Sequence, residues 1–201
     1  MRGKPRVSCT QRFKVSHAPG IYDERTKDVR WIVILCGFIA ALSGAAVAQP
    51  FAEAYRPAEP PVAAPTGVAR TATGRALRIA DRLEPPAMLV LWAEWCPVCR
   101  AELPEIAAAA RRAGVGLVLL SVDTREDAEA RTAAFLGAHG MADGEALFDD
   151  ALSLARALGV TGIPHVALID GTGRVVGRVS GRMDWRDPAF DAYVHEVLAA
   201  D

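Results

Sequence analysis

The sequence predicts an α/β domain with a central mixed sheet flanked by helices, and three observations carry that prediction. Met88-Leu89-Val90-Leu91-Trp92 is a short apolar run of buried-strand character that leads into Trp95-Cys96-Pro97-Val98-Cys99. The alanine-rich stretch from Arg100 to Arg112 then reads as a helix. Further on, His165–Ile169 and Val175–Ser180 are strand-like runs joined by Asp170-Gly171-Thr172-Gly173, a turn sequence that makes them a hairpin.

Residues 1–30 hold eight Lys or Arg against three Asp or Glu, and Trp31 to Ala48 is an apolar run without a charge. Residues 1–48 therefore read as a basic leader plus an apolar signal peptide or membrane anchor. Ala46-Val47-Ala48 suits cleavage, and the basic flank predicts that everything after the run is exported. The leader is long, and no Met follows Met1 until Met88, so a start at Val29 is an alternative. Cys36 sits in the apolar run and reads as passive.

Residues 49–66 carry five prolines and little to bury, which predicts a semi-rigid exposed linker. The folded domain is then 67–201, long enough for its own core without structural disulfides. Its elements read as strand Leu77–Ile79, strand Leu89–Trp92, the helix after the cysteines, and strand Gly116–Val122. Helix Glu126–His139, a short segment Ala146–Phe148, helix Ala151–Leu158, the hairpin and helix Pro188–Ala199 complete the order. Beyond residue 30 there are 15 Arg, no Lys and 21 Asp or Glu, a net charge of −6, which argues against a nucleic-acid partner.

The two cysteines carry the chemistry. Cys96 falls at a helix N-terminus, where the macrodipole and unpaired N–H groups stabilise a thiolate, so it is the predicted nucleophile. Cys99 is one turn on, more buried, and placed to resolve a mixed disulfide at Cys96. Pro97 suits the first helical turn, which needs no N–H. Half of a zinc site is the competing reading, but Cys9 and Cys36 lie upstream and His17, His139, His165 and His195 are scattered.

Trp92-Ala93-Glu94-Trp95-Cys96-x-x-Cys99-Arg100-x-Glu102-x-Pro104, with Gly162-Ile163-Pro164 and Leu168-Ile169-Asp170-Gly171 downstream, resembles the thioredoxin superfamily. More narrowly it is similar to the exported TlpA/ResA/CcmG-like thiol-disulfide oxidoreductases. The resemblance implies a thioredoxin-like fold, with Asp123 to Phe148 as a TlpA-type insertion between the third strand and the following helix. It implies a cis Ile163–Pro164 peptide against the cysteines, with Trp95, Pro97, Val98, Ile163 and Pro164 forming the client surface. Glu102 is implied as a proton shuttle near the dithiol. This chain departs from ordinary thioredoxins at Val90, where they keep a buried Asp. Glu94 matches an exposed position, Trp92 and Trp185 read as packing residues, and Pro104 as a helix kink.

The implied activity is reduction of disulfides in exported clients during cytochrome c maturation or copper-site assembly. It needs no cofactor, and a membrane-embedded thiol donor recharges the domain outside the cytoplasm. Two alternatives stay open. Cys96, Cys99 and His165 together suggest a copper-handling protein, and the insertion suggests a thiol peroxidase, although no Thr-x-x-Cys is present.

Overall fold

The computed structural model describes residues 48–141 and 146–198. The leader and its apolar run lie outside the described residues, among which no helix is long and apolar enough to cross a membrane. Eight strands are described: β1 (Tyr55–Ala63), β2 (Val68–Thr71), β3 (Ala76–Arg78), β4 (Ala87–Trp92), β5 (Gly116–Ser121), β6 (Leu147–Phe148), β7 (His165–Ile169) and β8 (Arg174–Ser180). The helices are α1 (Phe51–Ala54), α2 (Pro97–Ala113), α3 (Ala128–Ala138), α4 (Ser153–Ala157) and α5 (Pro188–Tyr193), the last running into a π turn over Val194–Leu198. One mixed sheet has the order β1-β8-β7-β4-β5-β6-β2-β3, with β4, β5 and β6 parallel and the other pairs antiparallel.

β4 is central, and its six residues are all fully buried. Period-2 alternation divides them between two cores. Met88, Val90 and Trp92 face α2, α5 and Leu136 of α3, while Leu89 and Leu91 face Ile79, Leu147, Leu154 of α4 and Leu158 just after it. Each large side chain so buried contributes roughly 1.5–3 kcal/mol. α2 presents Cys99, Glu102, Leu103, Ile106 and Ala110 to the first core, an i, i+3, i+4 stripe, and stops at Gly114, whose φ of 67° only glycine adopts without strain. Between β5 and α4 lie α3 and β6, where the extra helix and connection are predicted.

Residues 49–66 depart from the linker expectation. Phe51–Ala54 is a helical turn, and β1 adds an edge strand antiparallel to β8, pairing Tyr55 with Val179 and Ala63 with Arg174. Pro57, Pro60 and Pro61 are tolerated because an outermost strand leaves one row of N–H positions without ladder partners. The ladder shifts register between Pro57 and Val62. Tyr55 lies across β8 so closely that a Cβ at Gly177 would overlap its ring. β2 also has no counterpart in the sequence reading; it joins β3 to β6.

Candidate active site

Strand β4 ends at Trp92, and a tight turn follows in which the Cys96 N–H donates to the Ala93 carbonyl at 3.2 Å. The turn delivers Cys96 to the N-cap of α2. Its Sγ accepts the Cys99 N–H at 3.1 Å, doing what a Ser or Asp oxygen does at an ordinary cap, and Pro97 occupies the first helical position. A sulfur held by a helix N-terminal N–H is stabilised as a thiolate. Cys96 and Cys99 are joined by a disulfide with Cα atoms 5.2 Å apart. Cys99 is fully buried, whereas Cys96 retains 6 % exposure and is flanked by exposed Trp95, Pro97 and Val98.

Ile163–Pro164 is cis, and the Cys96 sulfur lies 3.9 Å from the Ile163 carbonyl oxygen. The motif around Cys96 and the Gly162-Ile163-Pro164 motif therefore meet at one edge of the α2 N-terminus. Trp92 and Trp185 are core residues, as predicted, with Trp185 packed edge-on against Phe190 at 5.5 Å.

Three side chains of this region have partners that the sequence alone does not place beside them. Glu102 is buried, and its Oε2 accepts the Met183 N–H at 3.2 Å and the Trp185 indole N–H at 3.0 Å, while Arg182 stands 3.4 Å from Oε1. The carboxylate thus fastens α2 to the segment that follows β8.

His165 turns away from the sulfurs. It pairs in register with Leu91 and with Ser180, so it shares the sheet face of Leu91, opposite α2. Its Nδ1 is 2.9 Å from the Ser180 hydroxyl. Among the described residues no three His, Cys, Asp or Glu side chains gather as metal ligands, so Cys96, Cys99 and His165 do not form the copper set. Burial, helped by the charge of Arg178, pushes the His165 pKa down to about 4. The unfolded chain protonates this ring near pH 6.5 while the folded one does not, so folding stability is full above pH 6.5 and declines as pH falls from there towards 4. The limiting loss is on the order of 3 kcal/mol. Urea unfolding at pH 7 and pH 4.5 should show the decline, and His165→Gln should remove most of it; an unchanged pH slope in the variant would refute this assignment.

Glu94 is the third. The resemblance implies an exposed position, but it is 7 % exposed. Its Oε2 accepts Arg131 Nε at 2.8 Å and Arg125 Nη2 at 3.0 Å, and Arg100 Nη1 stands 3.8 Å from Oε1. Arg125 also holds the buried Asp123 carboxylate through contacts of 2.6 and 2.9 Å. Arg131 first, then Arg125, keeps Glu94 below the usual carboxylate range, and Arg125 does the same for Asp123. Only the fold brings these groups together; the sequence separates Glu94 from Arg125 and Arg131 by 31 and 37 positions.

Comparison with known proteins follows the same lines. The Redoxin family profile matches residues 62–194. A Paracoccus denitrificans protein named "Thiol:disulfide interchange protein DsbE homolog" is 32 % identical over 174 residues, spanning 85 % of this chain and 94 % of its own length. The Escherichia coli K12 "Thiol:disulfide interchange protein DsbE" is 31 % identical over 121 residues, covering 56 % of this chain and 62 % of that protein. Among solved structures, a putative DsbE from Chlorobium tepidum superposes with a TM-score of 0.56 at 25 % identity, over 69 % of this chain and 97 % of that one.

Proposed function

The chain belongs to the Redoxin family and is a thioredoxin-fold thiol-disulfide oxidoreductase of the CcmG/DsbE type, and from that premise we propose that it reduces disulfides in exported client proteins. The observation that carries this reading is the asymmetry of the pair: Cys96 caps α2 at the rim beside Ile163 and Pro164, and Cys99 is sealed behind it.

In the forward direction the Cys96 thiolate attacks one sulfur of a client disulfide, forming a mixed disulfide and releasing the first client thiolate. Cys99, on losing its proton, attacks Cys96 Sγ and expels the second client thiolate. Two electrons pass to the client, the protons from Cys96 and Cys99 end on the client thiols, and the domain is left with the Cys96–Cys99 bond. Glu102, a buried carboxylate one turn beyond Cys99, is the proposed acceptor of the Cys99 proton. Trp95, Pro97 and Val98 form the exposed apolar rim for an extended client, with Ile163 beside it.

The resemblance to the exported branch supports apocytochrome haem-site cysteines as clients, with copper-site cysteines as the variant. It also supports a place outside the cytoplasm, reached through the signal or anchor in residues 1–48, where a membrane-embedded thiol donor restores the dithiol. Pro97-Val98 offers no cation between the cysteines, so the thiolate is less stabilised than in a strong oxidant and the couple lies towards thioredoxin, near −270 mV. The test is equilibration of the protein with glutathione and dithiothreitol buffers, followed by reduction of a disulfide-closed Cys-x-x-Cys-His peptide. A potential more positive than roughly −180 mV would reverse the assignment to an oxidase or isomerase.

A further inference from the structure

The turn that delivers the nucleophile carries a buried charge that the exchange chemistry does not use. Ala93 and Cys96 close that turn, so Glu94 and Trp95 are its two central residues. Glu94 draws in guanidinium groups from three separate places: Arg100 in the first turns of α2, Arg125 in the segment between β5 and α3, and Arg131 within α3. The three arginines are each 38–49 % exposed, whereas the Glu94 side chain is at 9 %. Arg125 has a second carboxylate in Asp123, and Arg131 a weaker one in Asp127 at 3.8 Å. Glu94 is thus the only acid among the described ion pairs that reaches all three cations.

We propose that Glu94 is a positioning residue for the disulfide exchange: it clasps the β5–α3 segment and α3 to the Cys96 turn, and its buried negative charge offsets Arg100, Arg125 and Arg131 so that the Cys96–Cys99 couple stays reducing. The physical basis is charge balance at short range. Glu94 is two residues before Cys96, the Arg100 backbone N–H donates to the Cys96 carbonyl at 3.1 Å, and a carboxylate with so little exposure is poorly screened by salt. With Glu94 in place, the three cations are matched by Glu94, Asp123 and Asp127, and the thiolate gains nothing from them. Without it, one positive charge is uncompensated beside the nucleophile, the thiolate is favoured, and the reduced form with it. The charged groups that stand about the turn and the adjoining α2 residues are therefore Arg100, Arg125, Arg131, Asp123 and Asp127, together with Glu102 on α2 and its partner Arg182.

This inference rests on Cys96–Cys99 being the working redox couple, and the experiment separates the two. The protein and its variants Glu94→Gln, Arg131→Met and the double variant are equilibrated with glutathione redox buffers, and the oxidised fraction is read by mass after alkylation. Glu94→Gln should shift the equilibrium towards the dithiol by about tenfold, ~30 mV less negative, and Arg131→Met should shift it about threefold the other way. The double variant should return close to the starting value. Opposite signs are the mark of electrostatics, because loosening the turn by either route would move both variants in the same direction. Shifts of the same sign, or none, would overturn the proposal while leaving the oxidoreductase reading intact. Failure of the unaltered protein to exchange with glutathione would overturn that reading and the proposal with it. Arg131 is half-exposed, so Arg131→Met keeps the sign test available should Glu94→Gln fold poorly.

Discussion

Cys96→Ser is expected to abolish disulfide reduction, a loss on the order of 10³-fold or more, the scale seen when a covalent nucleophile is deleted. Cys99→Ser is expected to leave the first step intact and stop the second, so mixed disulfides with clients accumulate. The difference follows from burial. Cys99 is fully buried and lies behind Cys96, so a client sulfur reaches only Cys96. Cys96 Sγ also accepts the Cys99 backbone N–H at 3.1 Å, which favours its thiolate. Non-reducing gels of each variant, incubated with a disulfide-closed client peptide, check the order. Equal trapping by the two variants would show that both sulfurs are reachable from outside and that the roles given to Cys96 and Cys99 are wrong.

What made this pair legible was local: a strand, a turn and a helix within some twenty-five residues bring Cys96 and Cys99 together, and no distant contact is needed. Ile163 and Pro164 were legible only through resemblance, because their approach to Cys96 depends on β7 pairing with β4. The same pairing decides His165. Its position one residue past Pro164 suggests proximity to the sulfurs, yet side chains alternate along a strand, and that single step turns the ring to the Leu91 face. Glu94 misled for another reason. The resembled family has an exposed residue at this position, and here its burial depends on Arg125 and Arg131, which lie in the segment after β5 and in α3.

The segment 49–66 was misread because composition dominates the sequence signal there: five prolines outweigh two aromatic residues that turn out to matter more. Phe51 is 6 % exposed and packs against Tyr55, Phe190 and Tyr193 with centroids 5.0, 5.7 and 5.2 Å away. Its N–H donates to Asp187 at 2.8 Å, on the carboxylate that also caps α5. Tyr55 donates to the Val176 carbonyl at 3.0 Å, and its hydroxyl lies 2.9 Å from that of Tyr193. Just upstream, Gln49 accepts the Asp184 N–H, one residue from the Met183 N–H that Glu102 holds, so the segment braces the loop behind the active-site helix.

Phe51→Ala is therefore expected to destabilise the folded chain by about 3–5 kcal/mol, the usual cost of emptying a buried aromatic site. In a domain of this size that lowers Tm by roughly 6–20 °C. Phe51 stands at the junction of α1, β1 and α5, and the groups around it are tied by hydrogen bonds that resist collapse into the space left behind; this places the loss towards the upper part of the range. Val62→Ala is the matched control, since that side chain is 46 % exposed on the same edge strand and should cost no more than about 0.5 kcal/mol. Thermal unfolding of the two variants, each fully oxidised so that the Cys96–Cys99 bond is constant, makes the comparison. Equal Tm values for Phe51→Ala and the unaltered protein would mean that residues 49–63 are a linker after all, lying on the domain without stabilising it. A large drop for Phe51→Ala beside none for Val62→Ala would make α1 and β1 part of the folding unit, with the domain starting near Gln49 instead of Gly67.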